Sequence, residues 1–142
     1  MSEMMLSPEM LGYFTEDDLQ DIPDDSGVYC VFSAAEDTSS GEMDVKSLLF
    51  IGHHRNLRHA IMHHEDKAKW RDRLKEGEEL WFSAALCSLA NCERLEAALV
   101  YAHKPPLNRR YVDTFPFDQT VVHVMGKKRL LMNPFTVERH EA

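Results

Sequence analysis

Cysteine is scarce in this chain, and its spacing excludes two common structural roles. Three cysteines occur in 142 residues, at Cys30, Cys87 and Cys92, and none of them forms a CxxC pair. An odd number without that spacing is not the pattern of a disulfide framework or of a zinc site. We therefore expect three buried thiols.

Long apolar runs are also missing. No window approaches the roughly 18 uninterrupted apolar residues of a transmembrane helix, and the N-terminus lacks the basic-then-apolar order of a signal peptide. The chain has no internal repeat and no low-complexity tract. With 44% apolar and 28% charged residues, its composition is typical of a globular protein, and its length favours a single domain. These features predict a cytoplasmic protein without a membrane partner and leave the oligomeric state open.

The first 26 residues contain no lysine or arginine. Eight of the 24 acidic residues lie in this segment, whereas all 16 basic residues follow it. The net charge of -8 therefore belongs to the N-terminal segment, and the rest of the chain is neutral. Because a polyanion binds through lysine and arginine, the neutral body does not exclude a nucleic-acid partner.

This acidic N-terminal extension, residues 1–26, is predicted to contain a helix. Ser7 followed by Pro8 is typical of a helix start. The apolar residues that follow would share one helical face: Met10, Leu11, Phe14 and Leu19. If the helix packed over a basic face it would compete with DNA, a hypothesis of self-masking. A solubilising extension packed elsewhere is the alternative.

Residues 27–108 alternate between strand-like and helix-like segments. Strands are predicted from β-branched and aromatic content over 27–33, 47–51 and 80–86, and the first two form a hairpin. Apolar spacing predicts helices over about 56–65 and from Asn91, which can cap its helix, to a stop at Pro105-Pro106.

The C-terminal extension, residues 109–142, is predicted to carry a β-hairpin. Segments 120–125 and 129–132 flank Gly126-Lys127-Lys128, a turn-like sequence. Together the elements predict an α+β fold, a small sandwich in which helices flank a three-stranded, mainly antiparallel sheet.

The most basic region follows the second predicted strand. It holds Arg55, Arg58, Lys67, Lys69, Arg71, Arg73 and Lys75. This run is either a phosphate-binding face, helped by Lys104, Arg109, Arg110 and Lys127-Lys128-Arg129, or a solvated helix face. Histidines at 53, 54, 59, 63 and 64 make a zinc or other transition-metal site conceivable, since His59 and His63 share a helical face. An exposed polar face is the stronger interpretation of the histidines.

Several short motifs resemble those of the GIY-YIG nuclease superfamily. Gly27-Val28-Tyr29 stands where the family has GIY, and Phe50-Ile51-Gly52 stands where it has YIG. The family order continues with Asn56-Leu57-Arg58, His64 and the E-x8-P-x2-N motif of Glu96, Pro105 and Asn108. The resemblance covers residues 27–108 and implies a GIY-YIG-like core.

The resemblance implies cleavage of DNA phosphodiester bonds with one divalent metal, Mg²⁺ or Mn²⁺. It makes Glu96 the metal ligand, since a carboxylate oxygen suits a hard cation. Tyr29 would activate or position the attacking water, and His64 would orient water or phosphate. Asn108 is expected to pin the loop after the helix. Nucleic acid would be contacted by Arg55, Arg58, Lys67, Lys69 and Arg71.

Two chemical positions depart from the family pattern. The catalytic arginine belongs where this chain has Ala60, and the tyrosine of YIG is Phe50. Arg58 lies two residues before Ala60, roughly 200° around a helix, and faces a different direction. Losing one preorganised transition-state donor costs about 10²- to 10³-fold in rate.

The sequence therefore predicts a metal-dependent DNA endonuclease or repair-type nuclease with an altered, weakened site. Replacement groups for the arginine are available in His53, His54, His59, His63 and Arg55. The alternative is a catalytically inactive module that binds nucleic acid or a protein partner.

Overall fold

The computed structural model describes residues 3–141 and has an α+β fold. Its helices are α1 (Leu57–Met62), α2 (Lys67–Asp72) and α3 (Leu89–His103). Its strands are β1 (Met4–Leu6), β2 (Glu9–Thr15), β3 (Gly27–Glu36), β4 (Met43–His54), β5 (Glu79–Leu86), β6 (Thr120–Val122), β7 (Met125–Gly126) and β8 (Phe135–Val137).

The main sheet is built around β3. Within the described residues it has five strands in the order β4-β3-β5-β2-β7, and β3 runs antiparallel to both β4 and β5. Residues 27–34 of β3 are all buried, as expected for a continuous apolar run in a strand covered on both faces. The three predicted strands are confirmed as the β4-β3-β5 part of this sheet, which β2 and β7 extend beyond the predicted three.

The predicted N-terminal acidic helix is wrong, because this segment forms β1 and β2. β2 is antiparallel to β5, and Met10 is buried whereas Leu11 is exposed, the alternation of a strand. Gly12 would cost a helix interior about 1 kcal/mol, and it has a positive φ of 135° here. The aromatic and β-branched residues after it fit a sheet.

The predicted C-terminal hairpin is also corrected. β6 pairs with β8 at residues 135–137, not with residues 129–132, and β1 adds a parallel third strand. Gly126 belongs to β7 beside β2, where a Cβ would lie 2.4 Å from the carbonyl oxygen of Met10. The glycine therefore permits close approach of two backbones and is not a hairpin turn.

Helices cover both faces of the main sheet. α3 packs with the core that contains Val28 and Cys30, whereas α1 and α2 pack with the core that contains Tyr29 and Val31. α3 begins after Ser88, so Asn91 lies inside the helix and is not its cap. The helix ends at His103, and its C-cap Lys104 adopts the left-handed conformation directly before the predicted stop at Pro105-Pro106. None of the helices in residues 3–141 has the length and apolar character needed to cross a bilayer.

The cysteines are free thiols. Cys30 and Cys92 are buried as expected, whereas Cys87 is only half-buried.

Candidate functional site

The candidate site lies at the end of β4, an edge strand of the main sheet. Tyr29 on β3 is opposite Gly52, and the next two residues of β4 are His53 and His54. Side chains alternate along a strand, so His53 lies on the α3 face and His54 on the α1 face. A Cβ at Gly52 would be 2.5 Å from the Tyr29 ring. Gly52 therefore gives the phenol room to lie across the strand.

Tyr29 is almost completely buried, with 3% of its surface exposed. Burial is the main cause that raises its pKa above the ordinary value, and the carboxylates of Glu96 and Asp66 raise it further. The phenol is therefore protonated at neutral pH and acts as a hydrogen-bond donor or acceptor, not as a ready base. Its ring centroid lies 6.4 Å from that of His64.

Tyr29 and His64 line one cavity of about 350 Å³, called here the histidine cavity. Its other lining residues are His53, His54, His59, Ala60, His63 and Glu65. Burial lowers the pKa of His64, which keeps this imidazole neutral at physiological pH. Ring centroids are 5.9 Å apart for His54 and His59, and 4.9 Å apart for His59 and His63.

Glu96 lines a second, adjoining cavity of about 480 Å³, called here the carboxylate cavity. It is shared with Phe50, Asp66, Lys69, Trp70, Pro106, Leu107, Asn108, Arg109 and Arg110, and Glu65 lines both cavities. The structure thus places Tyr29 and His64 in one cavity and Glu96 in the adjoining cavity. Glu96 is close enough for the charge of its carboxylate to raise the pKa of the Tyr29 phenol.

His53 links the two cavities. Its Nδ1 lies 2.6 Å from Oε1 of Glu96, and since a carboxylate accepts, Nδ1 of His53 is the donor. The Glu96 side chain is only 13% exposed. Burial raises its pKa, and the hydrogen bond from His53 opposes that rise.

Comparisons with protein-family models, curated proteins and solved structures found no match.

The His53–Glu96 contact was not predicted from the sequence. The available signal was the position of His53 directly after Gly52, with a side chain on the face where α3 packs. The sequence suggested His53 as a replacement for the missing arginine or as part of a transition-metal site, but not as a partner of Glu96, because a strand's facing helix cannot be identified before the topology is known.

Most of the predicted nucleic-acid contacts are engaged elsewhere. The Arg58 Nε donates to the Ile22 carbonyl at 2.9 Å, Lys67 donates to the Met62 carbonyl, and Arg71 pairs with Glu16 at 2.5 Å. Arg55 is exposed and lines neither cavity. Of the five, Lys69 alone lines the carboxylate cavity.

Asn108 fixes the loop after α3 against the outer edge of β4. Its Oδ1 accepts from the Ile51 amide at 2.9 Å, and its Nδ2 donates to the Ile51 carbonyl at 2.8 Å. The amide of Leu107 also donates to the Leu49 carbonyl at 3.1 Å. The expectation that Asn108 pins this loop is confirmed, and the contact sets Arg109 beside the carboxylate cavity.

The histidines give no support to a zinc site. No group of three or more histidine, cysteine, aspartate or glutamate side chains within residues 3–141 is arranged to hold a metal ion. A magnesium ion needs fewer protein ligands, since it keeps most of its waters and takes one or two carboxylates together with substrate phosphate.

Proposed function

We propose that this protein is a divalent-metal-dependent DNA endonuclease of the GIY-YIG type with an altered, weakened active site. The observation that carries the proposal is the His53–Glu96 contact at 2.6 Å. It joins the carboxylate of α3 to the end of β4, where the phenol of Tyr29 and the imidazole of His64 already meet. Three distant segments thereby supply an acid, a phenol and an imidazole to one region.

The residues present fit Mg²⁺ or Mn²⁺ held by Glu96. Its carboxylate is nearly buried, lines a cavity of about 480 Å³, and has a raised pKa because burial penalises its charge. A cation beside it would offset that penalty. When bound, the metal supplies Lewis-acid stabilisation of charge on the leaving oxygen.

The remaining roles belong to side chains. Tyr29 holds its proton and positions the attacking water by hydrogen bonding, since its raised pKa disfavours deprotonation. His53 holds one oxygen of Glu96 and fixes the orientation of the carboxylate. Arg109 lines the same cavity and would contact phosphate groups of the substrate. Lys69 and Arg110 also line it, but they pair with Asp66 at 3.4 Å and with Glu93 at 2.9 Å.

A catalytically inactive module that binds nucleic acid or a protein partner is the second candidate. Ala60 favours it, because this buried residue of α1 lines the histidine cavity where the family pattern has its arginine. Phe50, which lines the carboxylate cavity, also lacks the hydroxyl of the family tyrosine. The weakened nuclease would cleave DNA slowly, whereas the inactive module would not cleave it at all.

Nicking of supercoiled plasmid tests the proposal. We expect cleavage that requires Mg²⁺ or Mn²⁺, stops when EDTA removes the metal, and falls by about 10²-fold or more in Glu96→Gln. Glu138→Gln is the matched control, since Glu138 is exposed and lines neither cavity, and it should cleave at the wild-type rate.

Two results would oppose the nuclease assignment. Activity that survives Glu96→Gln would indicate a contaminating nuclease. Absence of cleavage with either metal would leave the inactive binding module as the better assignment.

A further inference from the structure

We infer that His54 and His64 form a pair of neutral N–H donors that binds a phosphodiester oxygen in the histidine cavity. The inference deepens the proposed nuclease function, on which it rests, because it names the groups that hold substrate phosphate where the arginine is missing. It concerns binding and not the chemical step.

Backbone contacts fix the tautomer of both rings. Nδ1 of His54 accepts from the amide of Asn56 at 2.9 Å, and Nδ1 of His64 accepts from the amide of Asp66 at the same distance. A backbone amide can only donate, so each Nδ1 has no proton. A neutral imidazole then carries its single proton on Nε2.

The same contacts argue against metal binding by these two rings. A neutral imidazole binds a metal through an unprotonated nitrogen, and in both rings the unprotonated Nδ1 already accepts from the backbone. The protonated Nε2 is available as a donor. Two such donors suit an oxyanion.

His54 at the end of β4 and His64 after α1 face the same cavity of about 350 Å³. Both residues line it. Ala60 lines the same cavity with only a methyl group. This small side chain leaves the cavity of about 350 Å³ open to a substrate oxygen.

The charges around the cavity favour a phosphodiester over a terminal phosphate. The exposed carboxylate of Glu65 lines it, Asp66 acts on His64, and Lys67 acts in the opposite sense. A diester has one negative charge and a terminal phosphate has up to two, so the nearby carboxylates repel the diester less. A hydrogen bond to a charged oxygen is stronger than one between neutral groups.

Nitrogen-15 NMR on the full-length protein tests the tautomers directly. At about pH 8, where imidazoles are neutral, we expect the Nε2–H form for His54 and His64. His53 is an internal contrast, because its contact with Glu96 requires the Nδ1–H form. Observation of the Nδ1–H form in either His54 or His64 would overturn the inference.

Binding is then measured with the dinucleotide dTpdT in EDTA, so that no metal contributes. The Nε2 resonances of His54 and His64 should shift together along one binding curve. Thymidine, which has no phosphate, should leave them unchanged, and thymidine monophosphate should bind more weakly than dTpdT. Equal shifts with thymidine would show base binding and contradict the inference.

Substitutions distinguish loss of the Nε2 donor from loss of the hydrogen bond that Nδ1 accepts from the backbone. His54→Asn and His64→Asn retain an oxygen that can accept from the amide two residues later but remove the distal donor, so the fold should persist. Each should weaken dTpdT binding about tenfold, and His64→Gln, which restores a distal N–H, should recover part of it. His123→Asn, an exposed histidine outside both cavities, should bind like wild type.

Failure of this inference is distinguishable from failure of the nuclease proposal. If plasmid is never nicked but dTpdT binding depends on His54 and His64, the donor pair stands and the enzyme does not. If plasmid is nicked and both asparagine variants bind dTpdT normally, the donor pair is wrong and the enzyme stands.

Discussion

Adjacent histidines at the end of β4 differ in tautomer because they face different partners. His53 donates from Nδ1 to a carboxylate, whereas His54 accepts at Nδ1 from a backbone amide. The first is tied to Glu96 on α3, and the second faces the cavity that contains Ala60. Neighbouring residues of one strand therefore present different ring nitrogens to their surroundings.

Ala60→Arg is expected to increase plasmid nicking about tenfold or more, because a guanidinium in the histidine cavity adds charged donors to the substrate phosphate. The measurement is the initial nicking rate in Mg²⁺. Ala60→Met is the control for side-chain size without charge, and its rate should not rise. Equal rates for the arginine variant and wild type, with both proteins folded by circular dichroism, would contradict the expectation.

The sequence motifs identified the side chains of the candidate site but not the contacts between them. The motif spacing selected Tyr29, His64 and Glu96, and the structure brings the first two into one cavity and the third into the adjoining one. The link through His53 depends on which face of β4 meets α3. That choice is made by tertiary packing, which local spacing does not encode.

Among the elements, β4 is held at its outer edge by a loop instead of a strand. The side chain of Asn108 makes both hydrogen bonds that a neighbouring strand would make with Ile51. This contact couples the end of α3, and with it the position of Arg109, to the strand that carries His53. The loop that carries Asn108 therefore contributes both to stability and to the geometry of the carboxylate cavity.

Asn108→Ala should lower the free energy of unfolding by about 1–3 kcal/mol, since it leaves the amide and carbonyl of Ile51 without their partners. Chemical denaturation monitored by circular dichroism measures the change. Asn91→Ala is the comparison, because Asn91 lies within α3 and alanine has the higher helix propensity; its stability should be unchanged or slightly increased. A loss in Asn91→Ala as large as in Asn108→Ala would argue against a specific role for the edge contact.

Elements with a long, consistent pattern were predictable, whereas the terminal elements were not. The apolar run of β3 and the helical spacing of α3 led to the correct element types. The segment of β2 has apolar residues that fit either period, and its partner β5 decides the outcome. The return strand β8 was missed because the turn was placed at Gly126-Lys127-Lys128, although Asn133-Pro134 directly before β8 is also a turn signal.

The whole molecule carries its excess negative charge in a segment that is built into the fold. β2 lies between β5 and β7, so removal of residues 1–22 would take a strand out of the main sheet. Residues 3–22 of the segment contain no α-helix that packs over the basic region, so self-masking in the predicted helical form is wrong. A fixed contact persists, since Glu16 pairs with Arg71 at 2.5 Å and its charge also acts on Lys67.

Glu16→Gln should increase affinity for duplex DNA about two- to fivefold at low salt, because a partly exposed ion pair is worth little and its loss frees one cation. Fluorescence anisotropy at fixed salt measures the affinity. Asp17→Asn removes the same charge one residue away without an ion pair, and its gain should be smaller. Equal gains in the two variants would show that net charge, and not the contact with Arg71, limits DNA binding.

Because β4 is an edge strand, the site can be approached from the side of the sheet. Both cavities lie beside the outermost strand of the sheet. Under the proposed function, a nucleic-acid backbone would therefore approach from the side and leave by the same route. No end has to be threaded through the protein. The proposed function therefore predicts that closed circular DNA reaches the site as readily as linear DNA.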